Sequence, residues 1–180
     1  MYQEDGTMQV DPFTKFEKDW ALLTAGTEGH FNSMTIGWGA LGTVWNKDVL
    51  TVYVRPDRYT WQFLKDSDTF TVAFFPERCR KALTIMGTLS GRDGDKARAA
   101  GLTPVSYGGS VTFREAETTL LCRKLYQHPF SPEDLAPEIL QYYAARPKVF
   151  PPDENGMAQP HWVFVGEVIE PAEEIGRAHV

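Results

Sequence analysis

Phe31–Thr60 reads FNSMTIGWGALGTVWNKDVLTVYVRPDRYT, and this stretch decides the fold class. Phe31–Trp38 has strand alternation, yet it carries Asn32, Ser33 and Thr35, polar residues for which a plain core strand has no need. Val49–Arg55 is a β-branched run stopped by Pro56, which cannot continue a sheet ladder. Asp57–Lys65 then reads as a short helix, with backbone N–H groups near Arg58–Thr60 left free to meet an anion. One edge thus offers polar groups and an aromatic ring, and the other a cradle for a phosphate.

Working outward, Trp20–Ala25 reads as a first strand, with Thr27-Glu28-Gly29 as turn chemistry and a second turn at Asn46-Lys47-Asp48. Phe70–Phe75 (FTVAFF) is apolar throughout and too short for a helix, hence a buried strand. Pro76 opens a helix through about Leu83, and another runs from Asp93 to Gly101 with Pro104 beyond it as a stop. Thr118–Tyr126 and Trp162–Ile169 are further strands. Ser131-Pro132-Glu133-Asp134 is a helix start, weakened by Pro137, and 147–160 is a Pro-rich loop. Strands joined by turns with short helices inserted predict a mainly β, barrel-like chain rather than an alternating parallel α/β fold. Neither GxGxxG after a strand nor GxxxxGK[ST] is present, so the usual dinucleotide and P-loop signatures are missing.

The 180 residues predict one domain spanning 1–180, large enough to bury roughly 70% of the surface its unfolded chain exposes. No apolar stretch approaches the ~20 residues of a membrane helix. The start, MYQEDGTMQVDPF, lacks the basic and apolar regions of a signal peptide, so a cytoplasmic location and no membrane partner are expected. Cys79 and Cys122 have no metal-like spacing and read as reduced structural thiols. The net charge of −6 argues against nucleic acid as a partner. Within Pro76–Gly101, however, six basic residues face three acidic ones, which suits recruitment of a small phosphorylated ligand. For most of those six a solvated helix face is the better explanation.

A flat ligand with a phosphate tail matches these features, and a flavin mononucleotide has that shape. N-S-M-T-I-G-W-G at Asn32–Gly39, V-R-P-D-R-Y-T at Val54–Thr60, S-G-R-D-G-D-K at Ser90–Lys96 and G-E-V at Gly166–Val168 resemble, in order, the flavin reductase-like, flavoredoxin-type proteins. The resemblance implies an FMN-binding split β-barrel that dimerises, with the flavin at or near the subunit interface. It implies an oxidoreductase passing electrons from NADH or NADPH through FMN to free flavin or another acceptor. A flavin-binding electron carrier without its own nicotinamide site is the alternative.

Arg58, Thr60 and Lys96 are the candidate phosphate ligands, joined by Arg55, because charge-assisted hydrogen bonds are the strong ones. The resemblance places Thr60 and Lys96 in the flavin site. Arg58 taken alone can equally be a surface arginine paired with Asp57 or Asp66. Asp57 is expected to cap the helix, and Ser90 belongs to the third block, where capping with Asp93 is its simpler explanation. Asn32, Ser33, Met34 and Thr35 are expected along the polar edge of the ring. Trp38 borders that ring in the motif, although alone it reads as core. His128, near Phe130, is a candidate to meet a nicotinamide or an exposed loop histidine. His161 and Trp162 resemble the segment preceding the family's G-E-V and are carried as substrate-border residues. His30 and His179 look incidental. No nucleophile elbow or zinc spacing is present, and hydride transfer to a flavin needs no side-chain nucleophile. No catalytic acid, catalytic base or metal ligand is therefore assigned.

Overall fold

A computed structural model describes residues 9–173; His179 and the first eight residues lie outside them. Seven strands form one antiparallel sheet: β1 (Ala21–Thr27), β2 (His30–Ile36), β3 (Gly39–Val44), β4 (Lys47–Val54), β5 (Thr69–Phe74), β8 (Thr118–Pro129) and β9 (Trp162–Glu173). Their spatial order is β2-β1-β5-β8-β9-β4-β3. β2 and β3 are therefore the two outer strands, yet only Gly37 and Trp38 separate them in the chain. Six inter-strand spacings would set the edges of a flat sheet roughly 29 Å apart. The Ile36–Gly39 link spans at most about 11 Å. The sheet must roll up until its edges meet, and since β2 and β3 do not pair, the barrel stays split at that seam.

Two register shifts in the β8–β9 pair, at Leu121/Cys122 and Lys124/Tyr126, bend these long central strands. Bulges supply the curvature that closure requires. The alternation of β1 shows why it carries apolar residues on both faces. Leu23 and Ala25 face the barrel interior with Leu50, Phe70, Val72 and Phe164, whereas Leu22 faces a second core with Ala73, Leu83, Met86 and Phe113. Both faces of the sheet are covered here, so FTVAFF in β5 also reads as continuous.

The outer layer consists of α3 (Arg80–Thr88), α4 (Lys96–Ala100) and a hairpin of β6 (Pro104–Tyr107) and β7 (Ser110–Phe113). The chain after Pro76 first makes a 3-10 turn at Glu77–Cys79, and α3 runs five residues past Leu83 because Ala82, Leu83 and Met86 bury one face. Asp95, not Asp93, caps α4 by accepting from Arg98 N at 3.0 Å, and left-handed Gly101 ends it as predicted. The helix after Arg55 is α2 (Tyr59–Asp66), with Arg58 at its N-cap position. Asp57 does not cap it but pairs with Arg55 Nε at 3.1 Å. The Ser131 segment is one 3-10 turn, Pro132–Asp134, followed by a separate α5 (Pro137–Ala144) starting on Pro137. Near the N-terminus, Asp11 caps α1 (Pro12–Thr14), which passes into a wider π-type turn and buries Phe16 at the seam under Gly39.

Gly166 of β9 explains the glycine of G-E-V. A Cβ there would lie 2.6 Å from the Phe70 ring and 2.7 Å from Cys122 Cβ, both in the barrel core. Gly166→Ala should therefore cost about 1–3 kcal/mol by overpacking. Urea denaturation measures this, and an unchanged midpoint would mean that Phe70 can move aside.

Candidate functional site

β2 has a strand neighbour on one side only. Its other flank meets α3: the Thr35 hydroxyl donates to Leu83 O at 2.5 Å, and a Cβ at Gly87 would sit tightly, 3.2 Å from Thr35 Cβ. Two cavities follow this flank and share Arg58 in their walls, marking out a trough. The first, about 200 Å³, is lined by Asn32, Arg58, Thr60, Ser90, Gly91 and Lys96. The second, about 310 Å³, is lined by Met34, Thr35, Trp38, Arg55, Phe150 and His161, with Arg58 reaching both.

At the first cavity, Lys96 opens α4 and is 6% exposed. Its ammonium donates to Met86 O at 3.2 Å and Leu89 O at 3.4 Å, while Arg58 Nη2 donates to Gly87 O at 3.0 Å. These carbonyls lie at the C-terminal end of α3, where a helix leaves acceptors unpaired and its dipole favours cations. Among the described residues, neither Arg58 nor Lys96 has a carboxylate in ion-pair range. Burial, and then the nearby Arg58 charge, push the Lys96 ammonium down to about 8. Burial, followed by Arg55, lowers Arg58 as well. Two desolvated like charges without a counterion form a site for an anion.

The Asn32 amide donates to Thr60 Oγ1 at 2.7 Å, both buried, which leaves the Thr60 hydroxyl proton for a ligand. Gly91 packs directly on Asn32 and Tyr59, so only glycine fits there. Ser90 Oγ accepts from Arg92 N at 3.2 Å and lines the same cavity.

The second cavity has an aromatic wall. Trp38 lies 4.7 Å from the His161 ring and 6.2 Å from Tyr142 and Phe150, and it remains 42% exposed at the seam. Arg55 reaches over Phe150, 5.2 Å from its centroid. Tyr143 Oη and His161 Nδ1 are 2.7 Å apart. Burial, then the charge of Arg55, push the His161 imidazole down to about 4, which keeps it neutral near pH 7. Beyond Trp38 and Tyr53 opens a wider apolar cleft of about 970 Å³, lined also by Phe13, Phe16 and Leu41.

The structure thus brings together Asn32, Met34, Thr35, Trp38, Arg55, Arg58, Thr60, Ser90, Lys96 and His161. Ser33 is buried, bonds Thr24 at 2.8 Å and lines a further hollow that shares Asn32, Gly91 and Lys96 with the first cavity. Trp162 belongs to the barrel core, 5.1 Å from Trp61. His128 stacks against Tyr126 on the outside. Tyr143 and Phe150 escaped the sequence reading because they follow Pro137 and lead into the Pro-rich stretch.

With the geometry in place, comparison with known proteins gives one family match, the flavin reductase like domain, over residues 13–174. No match is found among the curated proteins. The fold resembles flavoredoxin from Methanosarcina acetivorans, at 22% identity and TM-score 0.65, covering 87% of this chain and 69% of that one. It also resembles the FMN-binding protein from Thermus thermophilus with bound 1-cyclohex-2-enone, at 20% identity and TM-score 0.64, covering 94% and 80%. A third similar structure is the Streptomyces globisporus NADH:FAD oxidoreductase in complex with NAD and FAD fragments, at 16% identity and TM-score 0.60, covering 86% and 74%. The family match spans nearly the whole barrel and all four sequence blocks, and the chain belongs to the flavin reductase-like family.

Proposed function

We infer that this chain binds FMN along the trough and acts as an NAD(P)H-dependent flavin oxidoreductase. The observation that carries the reading is the cationic pair of part-buried Arg58 and buried Lys96, held on the end of α3 with no carboxylate in ion-pair range among the described residues. A phosphate suits them, with the Thr60 hydroxyl as a third donor. Asn32–Thr35 and Trp38 would border the ring, and Arg55 with neutral His161 would line its far end. When bound, FMN supplies the hydride and electron chemistry. The residues supply orientation, charge and exclusion of water. Room for a nicotinamide beside the ring comes from the adjoining apolar cleft. The same cleft, with Phe13 exposed at its rim, is the surface that a homodimer would cover. The free thiols Cys79 and Cys122 suit a cytoplasmic setting.

FMN titration followed by anaerobic mixing with NADH and NADPH tests this reading. Flavin absorbance should appear and then bleach with one nicotinamide. Binding without bleaching by either would favour an electron carrier, and no binding would remove the flavin assignment. Lys96→Ala should weaken FMN binding by about 1–3 kcal/mol through loss of a charged hydrogen bond. An unchanged dissociation constant at low salt would take Lys96 out of the site.

The Lys96 titration gives a further check with a definite sign. A phosphate raises the ammonium's pKa from its free value near 8. Affinity is then level below pH 8 and falls above it, where the unliganded protein has already lost the proton. Lys96→Arg, which stays charged, should flatten this fall. A wild-type profile with no break near pH 8 would contradict the assignment.

A further inference from the structure

At the far end of the trough, a tyrosine and a histidine share a bond that can be resolved proton by proton. Tyr143, on α5, is 5% exposed, and His161, just ahead of β9, is 8% exposed. Tyr143 Oη lies 2.7 Å from His161 Nδ1 and also accepts the backbone N–H of His161 at 3.4 Å. A hydroxyl has one proton to give. With its oxygen taken by the backbone N–H, that proton goes to Nδ1. The opposite tautomer would bring two N–H donors onto the oxygen and leave the buried O–H unpaired, since no other acceptor bonds it among the described residues.

We propose that Tyr143 is a positioning residue that fixes His161 as its Nε2–H tautomer. The chain then presents one neutral N–H donor to the ring-end cavity, where it takes a carbonyl oxygen of the ligand. Trp38 at 4.7 Å and Phe150 at 5.9 Å, measured between ring centroids, hold the imidazole plane, and His161 lines the cavity. Arg55 flanks the same space and opposes a second proton on the ring. The tautomer stands on geometry alone; only the identity of the carbonyl rests on the flavin reading. It can belong to the flavin ring or to a second substrate beside it.

Long-range 1H–15N correlation spectra of the whole chain read the tautomer directly, with His161→Gln assigning the signals. Expected are a pyridine-like Nδ1 and a pyrrole-like Nε2 in the wild type. In Tyr143→Phe both nitrogens should move toward averaged shifts as the two tautomers mix. A protonated Nδ1 in the wild type, or an unchanged pattern in Tyr143→Phe, would overturn the proposal, and the wild-type spectrum decides even if the variant does not fold. A second series adds FMN, with binding confirmed by absorbance, and then FMN with nicotinamide. A shift of the Nε2 proton with FMN alone assigns the acceptor to the flavin ring, and one that needs nicotinamide assigns it to the second substrate. With FMN bound, no shift in either arm would overturn the donor role. Absence of FMN binding would instead defeat the flavin reading while leaving the tautomer result standing.

Discussion

The two-residue link between β2 and β3 is the constraint on which the remaining structure depends. Because Gly37 and Trp38 must join the two outer strands, the sheet rolls and its seam falls at the edge of β2. A strand edge normally invites another chain, and covering it is one way to protect it. Here α3 and the Ser90–Asp95 segment lie along that edge and leave a trough between. Trp38 stands at the seam, which is why a large aromatic residue stays partly exposed in an otherwise well-filled barrel. Trp38 thus belongs both to the closing link and to the candidate site.

The anion end is built on helix termini rather than on counter-charges. Three carbonyls from one turn of α3 hold the Arg58 and Lys96 side chains, and carbonyls neutralise far less charge than a carboxylate does. Pairing the cations with Asp or Glu would have stabilised the empty protein but set a competitor in the ligand's place. Asp57, whose charge acts on Arg58, is ion-paired with Arg55 instead. The depressed Lys96 pKa is the physical trace of that arrangement.

Much of this was legible in the sequence, for identifiable reasons. Six of the seven sheet strands were read from strand-like apolar runs and from proline as a stop, whereas β3, with two glycines and exposed residues, was not read as a strand. Asn32, Arg58, Thr60 and Lys96 were singled out by three ordered sequence blocks, and the fold brings all four to the wall of one cavity. The β6–β7 hairpin was missed although Gly108-Gly109, both with positive φ, is a strong two-residue turn signal between alternating segments. The β3–β4 turn falls on Trp45-Asn46 instead of Asn46–Asp48, since tryptophan at positive φ is not something a turn scan anticipates. Trp162 was read as a site residue because, with His161, it resembles the segment preceding the family's G-E-V, whereas here it is partly buried and packs against the barrel core. Tyr143 was invisible because its partner is distant in sequence and its role is set by a single hydrogen bond.

The two ends of the trough differ in how firmly they are built. The anion end is fixed by β2, α2, α3 and α4, all tied into the two cores. Segment 131–160, which supplies Tyr142, Tyr143 and Phe150, makes only local backbone hydrogen bonds among the described residues. Its attachment to the barrel rests on side chains: Tyr143 on His161, Phe150 under Arg55, Tyr142 near Trp38. Segments with few backbone ties open at lower free energy than a core does. On the flavin reading, affinity for the phosphorylated tail and access to the ring end would therefore be controlled by separate structures. The Tyr143–His161 bond joins them, because it clasps the wall to the barrel and sets the proton on the histidine. Opening the wall would release both at once, so access and hydrogen-bond donation at the ring end change together.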